Sequence, residues 1–247
     1  LLGIINDLLD FSKIEAGMLE LEVMKTDMVE LLENIIEVVK FSAAEKEIEL
    51  LLDIDPSMPR FAHLDPIRTK QILANLLGNA IKFTPKGEVA LKAVYQVLDG
   101  KQGKLSISVR DTGIGITEEQ KAKLFKSFSQ ADSSTTRKFG GTGLGLVISQ
   151  MIAEKMGSKI NIDSTPGVST TFYFDIITHF EEGEKLDTTQ ITGVKRCLII
   201  DDNDNNLLIL EQMLKQWHIE SDSCNNGLEA LKKLQNSQPY DLIICDY

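Results

Sequence analysis

One polar, acidic segment divides the 247-residue chain into two parts with different patterns. Residues 179–193, "HFEEGEKLDTTQITG", lack the apolar periodicity of their surroundings, and we predict that they form a linker. After the linker, residues 194–247 alternate between strand-like and helix-like segments, which predicts right-handed βαβ units and a parallel sheet. The part before the linker combines helical periodicity with alternating strands. We therefore predict an α/β chain with more than one domain.

Helical periodicity and capping residues predict three helices before the linker. They cover residues 1–16, ended by Gly17, residues 26–45, and residues 65–83, where Pro66 stands at the first helical position. Alternating or β-branched segments between turn residues predict strands at residues 48–55, 88–97, 104–111, 159–164 and 170–177.

Composition and charge exclude several functional classes. The net charge of −11 argues against a general nucleic-acid or anionic-membrane surface. No apolar run approaches the roughly 18–20 residues of a membrane span. The three cysteines lack a metal-binding or redox spacing, which predicts reduced packing residues. We expect a cytoplasmic location, no nucleic-acid partner and no membrane contact in this segment, and we interpret the mid-pattern start "LLGIINDLL" as part of a longer protein.

A glycine-rich segment, "FGGTGLGL" at residues 139–146, directly precedes a helical pattern. Bare backbone at a helix start is typical of anion binding, because the first N–H groups of a helix are unpaired and the dipole is positive there. A hinge or a tight turn explains the same glycines, so the segment alone does not decide. No G-x-G-x-x-G or G-x-x-x-x-G-K-[ST] pattern occurs, which excludes the dinucleotide-binding and P-loop classes.

Two amides and a lysine share one face of the third predicted helix. Asn75, Asn79 and Lys82 fall at i, i+4 and i+7, beside an apolar stripe. Amide oxygens suit Mg²⁺ next to substrate phosphates, and the lysine suits the phosphates themselves. A solvated helix face is the alternative.

A second glycine-containing segment, "DTGIGI", follows a predicted strand at residues 111–116. Gly113 and Gly115 allow the backbone to approach a flat group closely, and the Asp111 carboxylate is suited to accept a hydrogen bond from an exocyclic amine such as that of adenine. An Asp-Thr-Gly turn with no ligand is the alternative.

Taken in order, the segments "NLLGNAIKFT", "DTGIGI", "LFKSFSQADSSTTRKFGGTGLGL" and "PGVSTTFYF" form a dense pattern. It resembles the asparagine, first glycine, phenylalanine and second glycine boxes of sensor histidine kinases, within the ATPase superfamily that includes DNA gyrase and mismatch-repair ATPases. Residues 1–22 look like the second helix of the dimerisation and histidine-phosphotransfer hairpin in hybrid members. The resemblance covers about residues 1–178.

The resemblance implies specific roles in binding Mg²⁺ and ATP. Asn79 is expected to ligate Mg²⁺, Lys82 to act at the phosphates, Asp111 to bind adenine, and Thr171 to lie near adenine through water. Phe125 and Phe128 are expected to anchor a mobile lid, and Ser169 departs from the glycine that many relatives carry. The implied ATP site comprises Asn75, Asn79, Lys82, Asp111, Gly113, Gly115, Arg137, Lys138, Gly141, Thr142, Gly143, Leu144, Gly145 and Thr171.

Three aspartates follow predicted strands in the last part of the chain. The carboxyl ends of parallel strands share one edge, so Asp201, Asp202 and Asp246 are expected to converge there. Such a cluster repels itself unless a cation joins it, which favours Mg²⁺, although capping and turn aspartates are the alternative. The arrangement resembles a response-regulator receiver, which implies that Asp246 accepts a phosphoryl group and that Asp201 and Asp202 help to hold the metal.

The predicted architecture is therefore α/β: a remnant of a helical dimerisation hairpin (1–22), an ATP-binding α/β sandwich with a mixed sheet (23–178), and a partial flavodoxin-like, parallel-sheet receiver (194–247). The resemblance implies a hybrid histidine kinase that dimerises through the hairpin and passes phosphate to a phosphotransfer protein or response regulator. His63, His179 and His218 lack the acceptor context, and the resemblance implies that the acceptor histidine lies on the first hairpin helix, expected upstream of Leu1. A gyrase-type hydrolase and a nucleotide-binding scaffold without phosphotransfer are the alternatives.

Overall fold

The computed structural model describes residues 2–125, 143–181, 193–236 and 238–246, without the side chains of residues 2–7 and 236. The chain divides into two units, Leu1–Gly183 and Glu184–Tyr247. The division falls within the predicted linker. Among the described helices, none has both the length and the apolar character that crossing a bilayer requires.

The helices of the first unit begin at side-chain caps that the sequence supplies. Asp27 accepts hydrogen bonds from the backbone N–H groups of Val29 and Glu30, and Asp65 accepts one from Arg68 at 2.9 Å. Both caps agree with the predicted helix starts within two residues. The helices are α1 (Leu2–Glu15), α2 (Met28–Ala44), α3 (Pro66–Phe83), α4 (Glu118–Lys121) and α5 (Gly145–Lys155).

The sheet of the first unit has the order β1-β3-β7-β5-β4-β2, and β6 pairs with β7. β2 and β4 are parallel, whereas the other pairs are antiparallel. This mixed sheet with helices confirms the predicted α/β class. The strands are β1 (Met24–Asp27), β2 (Ile48–Ile54), β3 (Phe61–Leu64), β4 (Gly87–Asp99), β5 (Gln102–Asp111), β6 (Asn161–Thr165) and β7 (Ser169–Glu181).

The sheet is larger at one corner than the sequence predicted. β1 and β3 were not predicted, and β7 continues through residues 179–181, so the assignment of those three residues to the linker was wrong. The reason is tertiary: Phe180 is buried, pairs with Ala62, and meets the ring of Tyr95 edge-to-face at 5.6 Å between centroids.

Helix α3 fills the centre of the first unit and thereby fixes the position of its polar face. Leu73, Leu76 and Leu77 are fully buried in the core, and burying one such side chain contributes about 1.5–3 kcal/mol. Helix α1 is attached to the same helix, because Gln71 Nε2 donates to Asp10 Oδ2 at 2.7 Å. The polar face of α3 is therefore held rigidly on a packed helix.

The second unit is a parallel sheet in the order β10-β8-β9, which confirms the predicted strand–helix alternation. Its thiols are free in the described residues: Cys197 and Cys224 are buried, as a packing role requires, whereas Cys245 is exposed. The elements are β8 (Arg196–Ile200), α6 (Asp204–Gln216), β9 (Glu220–Cys224), α7 (Gly227–Asn236) and β10 (Leu242–Cys245).

Candidate functional site

The two asparagines of α3 lie together and against helix α5. Asn79 Nδ2 donates to Asn75 Oδ1 at 3.3 Å, and Asn75 Nδ2 donates to Ser149 Oγ at 2.9 Å. Both asparagines are half-buried. The predicted amide face is thus a connected polar strip between two packed helices, which disfavours the alternative of a simple solvated face.

Lys82 lies in the last turn of the same helix and is half-buried. Burial lowers the pKa of its ammonium group, which lies 5.0 Å from the centroid of the Phe83 ring. A second cation stabilises this helix end, since Lys46 Nζ donates to the carbonyl oxygens of Ile81 at 2.8 Å and Lys82 at 2.9 Å. The amides and Lys82 follow one another along α3.

Helix α5 begins directly against this polar strip. A Cβ atom on Gly145 would lie 3.1 Å from Asn75 Cγ and closer still to Asn75 Oδ1, so a larger residue here would displace the Asn75 amide. Gly143 has a φ of +70°, a left-handed backbone conformation. The N-cap residue is Leu144, whose apolar side chain offers no acceptor for the first N–H groups of α5. The positive end of a helix therefore faces the two asparagines.

Asp111 ends β5 as a buried carboxyl group with 5% of its surface exposed. Its Oδ1 accepts a hydrogen bond from the N–H of Gly113 at 2.9 Å. Burial raises the pKa of the Asp111 carboxyl, against the opposing effects of backbone hydrogen bonds from Gly113 and Thr170. A buried carboxyl with this much desolvation is typical of a functional site.

The glycines after Asp111 pack against the protein itself. A Cβ on Gly113 would lie 2.9 Å from the carbonyl carbon of Phe83, and one on Gly115, whose φ is +66°, would lie 2.7 Å from Pro166 Cα. The prediction attributed these glycines to the approach of a flat ligand. The structure supplies another reason, because the 111–116 segment is wedged between the end of α3 and the β6–β7 turn.

The β6–β7 hairpin holds that segment in place through residues that the sequence did not single out. Ile116 N donates to Ser164 Oγ at 2.8 Å, and Gly167 N donates to Ile114 O at 2.7 Å. Ser164 Oγ also lies 3.0 Å from Thr170 Oγ1. Serines in a short strand give little signal from sequence alone.

The strand register corrects the prediction for Thr171. Asp111 pairs with Thr170, and Thr171 pairs with Arg110, so Thr171 lies on the opposite face of the sheet from Asp111. Thr170 is buried on the Asp111 face instead. Ser169 begins β7 and accepts a hydrogen bond from Ser164 Oγ through its carbonyl oxygen.

Part of the predicted lid lies outside the described residues. This applies to Phe128, Arg137, Lys138, Gly141 and Thr142. Phe125 is described and packs, half-buried, against the core of the first unit.

The three aspartates of the second unit converge as predicted. Carboxylate oxygens of Asp201, Asp202 and Asp246 lie within 4.8 Å of one another. Asp201 is buried, and it accepts hydrogen bonds from Asn203 N at 2.9 Å and from Asn206 Nδ2. Two exposed carboxylates beside one anchored carboxylate form a donor set that fits a hard divalent cation.

The histidines lie in structural positions. His63 lies in β3, and its Nε2 is 2.9 Å from Oε1 of Glu181. His179 is an exposed residue of β7 and does not belong to a linker. His218 follows α6 with a φ of +57°. These positions agree with the prediction that each is structural or superficial.

The sequence of this chain is similar to those of several known proteins. Residues 64–178 match the family described as "Histidine kinase-, DNA gyrase B-, and HSP90-like ATPase". Sensor protein GacS of Pseudomonas syringae pv. syringae is 38% identical over 227 residues, which cover 92% of this chain and 25% of GacS. Signal transduction histidine-protein kinase BarA of Escherichia coli K12 is 40% identical over 205 residues, which cover 82% of this chain and 22% of BarA. The chain thus spans about a quarter of the length of the curated relatives it matches.

Solved structures show the same fold. A crystal structure of full-length ShkA in complex with AMPPNP matches with a TM-score of 0.78 and 28% identity, covering 94% of this chain and 47% of ShkA. The catalytic domain of histidine kinase ThkA matches with a TM-score of 0.52 and 26% identity, covering 64% of this chain and 98% of that domain.

Proposed function

The chain belongs to the hybrid sensor histidine kinases, and from this premise we propose that it binds Mg²⁺ and ATP and transfers the γ-phosphoryl group to a histidine other than His63, His179 and His218. The phosphoryl group then passes to a receiver aspartate. The observation that carries the proposal is the start of α5 against the Asn75–Asn79 strip, with Lys82 on the same helix. A helix N-terminus, two amides and a cation in one place suit a polyphosphate.

Each group of the strip has a role that its chemistry supports. The Asn79 amide oxygen holds Mg²⁺, which neutralises phosphate charge when bound, and Asn75 lies beside it. Lys82 compensates charge on the phosphates, and the backbone N–H groups at the start of α5 donate to phosphate oxygens. Gly143, Leu144 and Gly145 let that backbone approach the phosphates closely. Catalysis of this kind depends on positioning and electrostatics.

Asp111 recognises the adenine end of the nucleotide. Its carboxylate accepts a hydrogen bond from the exocyclic amine, while Gly113 and Gly115 keep the 111–116 segment in place beneath it. Because Thr170 lies on the Asp111 face of the sheet, it replaces Thr171 as the hydroxyl residue nearest this end. Arg137, Lys138, Gly141 and Thr142 belong to the proposed lid over the phosphates.

The second unit is proposed to be a receiver domain. Asp246 accepts the phosphoryl group, and Asp201 and Asp202 hold Mg²⁺ beside it. In this proposal residues 1–22 belong to a dimerisation hairpin, residues 23–178 form the catalytic domain, and the partners are a second copy and a downstream phosphotransfer protein or response regulator. The location is proposed to be cytoplasmic.

Substitution at Asn79 tests the metal and nucleotide site. Asn79→Ala is expected to abolish Mg²⁺-dependent ATP binding in calorimetry and to leave the circular dichroism spectrum unchanged. Asn161→Ala, which removes an exposed asparagine of β6, is the matched control. Unchanged ATP affinity in correctly folded Asn79→Ala contradicts the assignment.

Phosphotransfer is tested with γ-labelled ATP and a separately supplied helical hairpin that carries an acceptor histidine. We expect acid-labile, base-stable label on the hairpin. A nucleotide-binding scaffold instead binds ATP and leaves the hairpin unlabelled, so this measurement separates the two functions.

A further inference from the structure

We propose that Ser149, in α5, is a positioning residue that fixes the orientation of the metal-binding amide of Asn79. This inference rests on the proposed Mg²⁺ and ATP site. A side-chain amide presents an oxygen on one side and an NH₂ group on the other, and only the oxygen can ligate a cation. An Asn79 amide turned the wrong way therefore presents donors to the metal and loses it.

The orientation of Asn79 is set by its neighbour on α3. Asn79 Nδ2 donates to Asn75 Oδ1 at 3.3 Å, so the Asn79 NH₂ group points along the helix toward Asn75 and its oxygen is directed elsewhere. This holds only while Asn75 presents its oxygen. If the Asn75 amide turns over, two NH₂ groups face each other and the Asn79 amide turns as well.

Helix α5 holds the Asn75 amide through a contact on each side. On the nitrogen side, Ser149 Oγ accepts the hydrogen bond from Asn75 Nδ2 at 2.9 Å, and Ser149 is a buried residue with 1% of its surface exposed. On the oxygen side lies Gly145, one helical turn earlier, where a Cβ would fill the space that Asn75 Oδ1 occupies. One helix thus contacts the Asn75 side chain on both sides, in the orientation that presents Oδ1 to Asn79.

The contacts from Ser149 and Gly145 to Asn75, and from Asn75 to Asn79, form a relay from the first turns of α5 to the proposed metal ligand. Helix α5 begins immediately after the glycine-rich segment, so a shift of its first turn acts on Asn75 through Gly145 and Ser149 together. Loss of the Ser149 hydroxyl removes the hydrogen bond that holds the Asn75 side chain against α5, so Asn75 Oδ1 no longer fixes the Asn79 NH₂ group in one place. We therefore expect the loss of the hydroxyl to reduce the contribution of Mg²⁺ to ATP binding and to leave the fold unchanged.

The test compares ATP dissociation constants measured by calorimetry in Mg²⁺ and in EDTA. Loss of one hydrogen bond of this kind corresponds to about 2- to 10-fold. We therefore expect the ratio of the EDTA value to the Mg²⁺ value to fall by that factor in Ser149→Ala, while the EDTA value stays unchanged. Ser158→Ala is the matched control, because Ser158 Oγ is a buried hydroxyl without a hydrogen-bond partner among the described residues; its ratio is expected to match the unmodified chain.

A double-substitution cycle with Asn75→Ala adds a second measurement. If Ser149 acts only through Asn75, the ratio in the double variant equals that in Asn75→Ala alone. An unchanged ratio in folded Ser149→Ala, an equal loss in Mg²⁺ and in EDTA, or additive losses in the cycle overturns the relay. Asn79→Ala distinguishes a failure of the proposed metal site from a failure of the proposed role of Ser149. If ATP binding by Asn79→Ala still depends on Mg²⁺, the proposed metal site itself is wrong. If Asn79→Ala loses this dependence while Ser149→Ala keeps it in full, only the role of Ser149 is wrong.

Discussion

Replacing Gly115 by alanine is expected to destabilise the first unit and to weaken ATP binding together. Gly115 has a φ of +66°, and its Cα faces the β6–β7 turn, where an added Cβ would lie 2.7 Å from Pro166 Cα and 2.8 Å from the carbonyl carbon of Thr165. These are backbone atoms, so no side chain can turn away to make room. The 111–116 segment must then separate from the β6–β7 turn.

The expected loss has two sources. The left-handed backbone conformation costs a residue with a Cβ roughly 1–2 kcal/mol. Forcing extra volume into a packed contact costs about 1–3 kcal/mol more. We therefore expect Gly115→Ala to lower the free energy of unfolding by about 2–5 kcal/mol. Gly157→Ala is the matched control, because Gly157 has a φ of +73° and open space where the Cβ would lie. This control should lose only the stability that the left-handed backbone conformation costs a residue with a Cβ.

Urea unfolding followed by far-ultraviolet circular dichroism measures both variants. The only tryptophan, Trp217, lies in the second unit, so its fluorescence reports that unit separately and should not shift. Calorimetry on the folded variants should show weaker ATP binding for Gly115→Ala than for Gly157→Ala. Equal destabilisation by the two substitutions refutes the steric argument.

Three further predictions concern charge. Burial raises the pKa of Asp111, so its carboxylate destabilises the protein increasingly as the pH rises above the ordinary value of 3.8. Asp111→Asn should therefore raise the urea midpoint of unfolding at neutral pH but not in acid. The same substitution should weaken ATP binding and reduce the preference for ATP over GTP. Lys25 and His63 lower the pKa of Glu181, whose ionised carboxylate stabilises the protein above pH 4.5 and loses this effect as the pH falls through the lowered pKa. Lys25→Met should raise the pKa of Glu181 in a carboxyl NMR titration. An unchanged pKa contradicts the contact between Lys25 and Glu181. Asp202→Asn should stabilise the second unit in EDTA by relieving repulsion and should abolish its stabilisation by Mg²⁺, as followed by tryptophan fluorescence; retained Mg²⁺ stabilisation excludes Asp202 as a ligand.

Local signals in the sequence were sufficient for the long elements. Helix α3 was predicted closely because Asp65 and Pro66 define its start and its leucines form a continuous buried stripe. The convergence of Asp201, Asp202 and Asp246 followed from parallel-strand geometry alone. In both cases, each residue could be placed from the helix or strand that directly adjoins it in the sequence.

Features that depend on distant pairing were missed. β1 and β3 contain four residues each, too few for alternation to be recognised, and β3 is held by the end of β7, more than a hundred residues away in the chain. Thr171 was predicted to lie near adenine, but it lies on the sheet face opposite Asp111, because a shift of one residue in register exchanges the two faces of a strand. Ser149 gave no signal, since a single serine within an apolar helix shows its partner only after the helices are packed.

The position of β7 also determines the order in which the first unit can form. β7 is the last strand of that unit in the sequence, yet it lies in the middle of the sheet, between β3 and β5. As the chain leaves the ribosome, β4, β5 and β2 can associate, and so can β1 with β3, but the two groups join only after residue 181 has emerged. Until then, the inner edges of both groups are unpaired, and unpaired strand edges favour association with other chains.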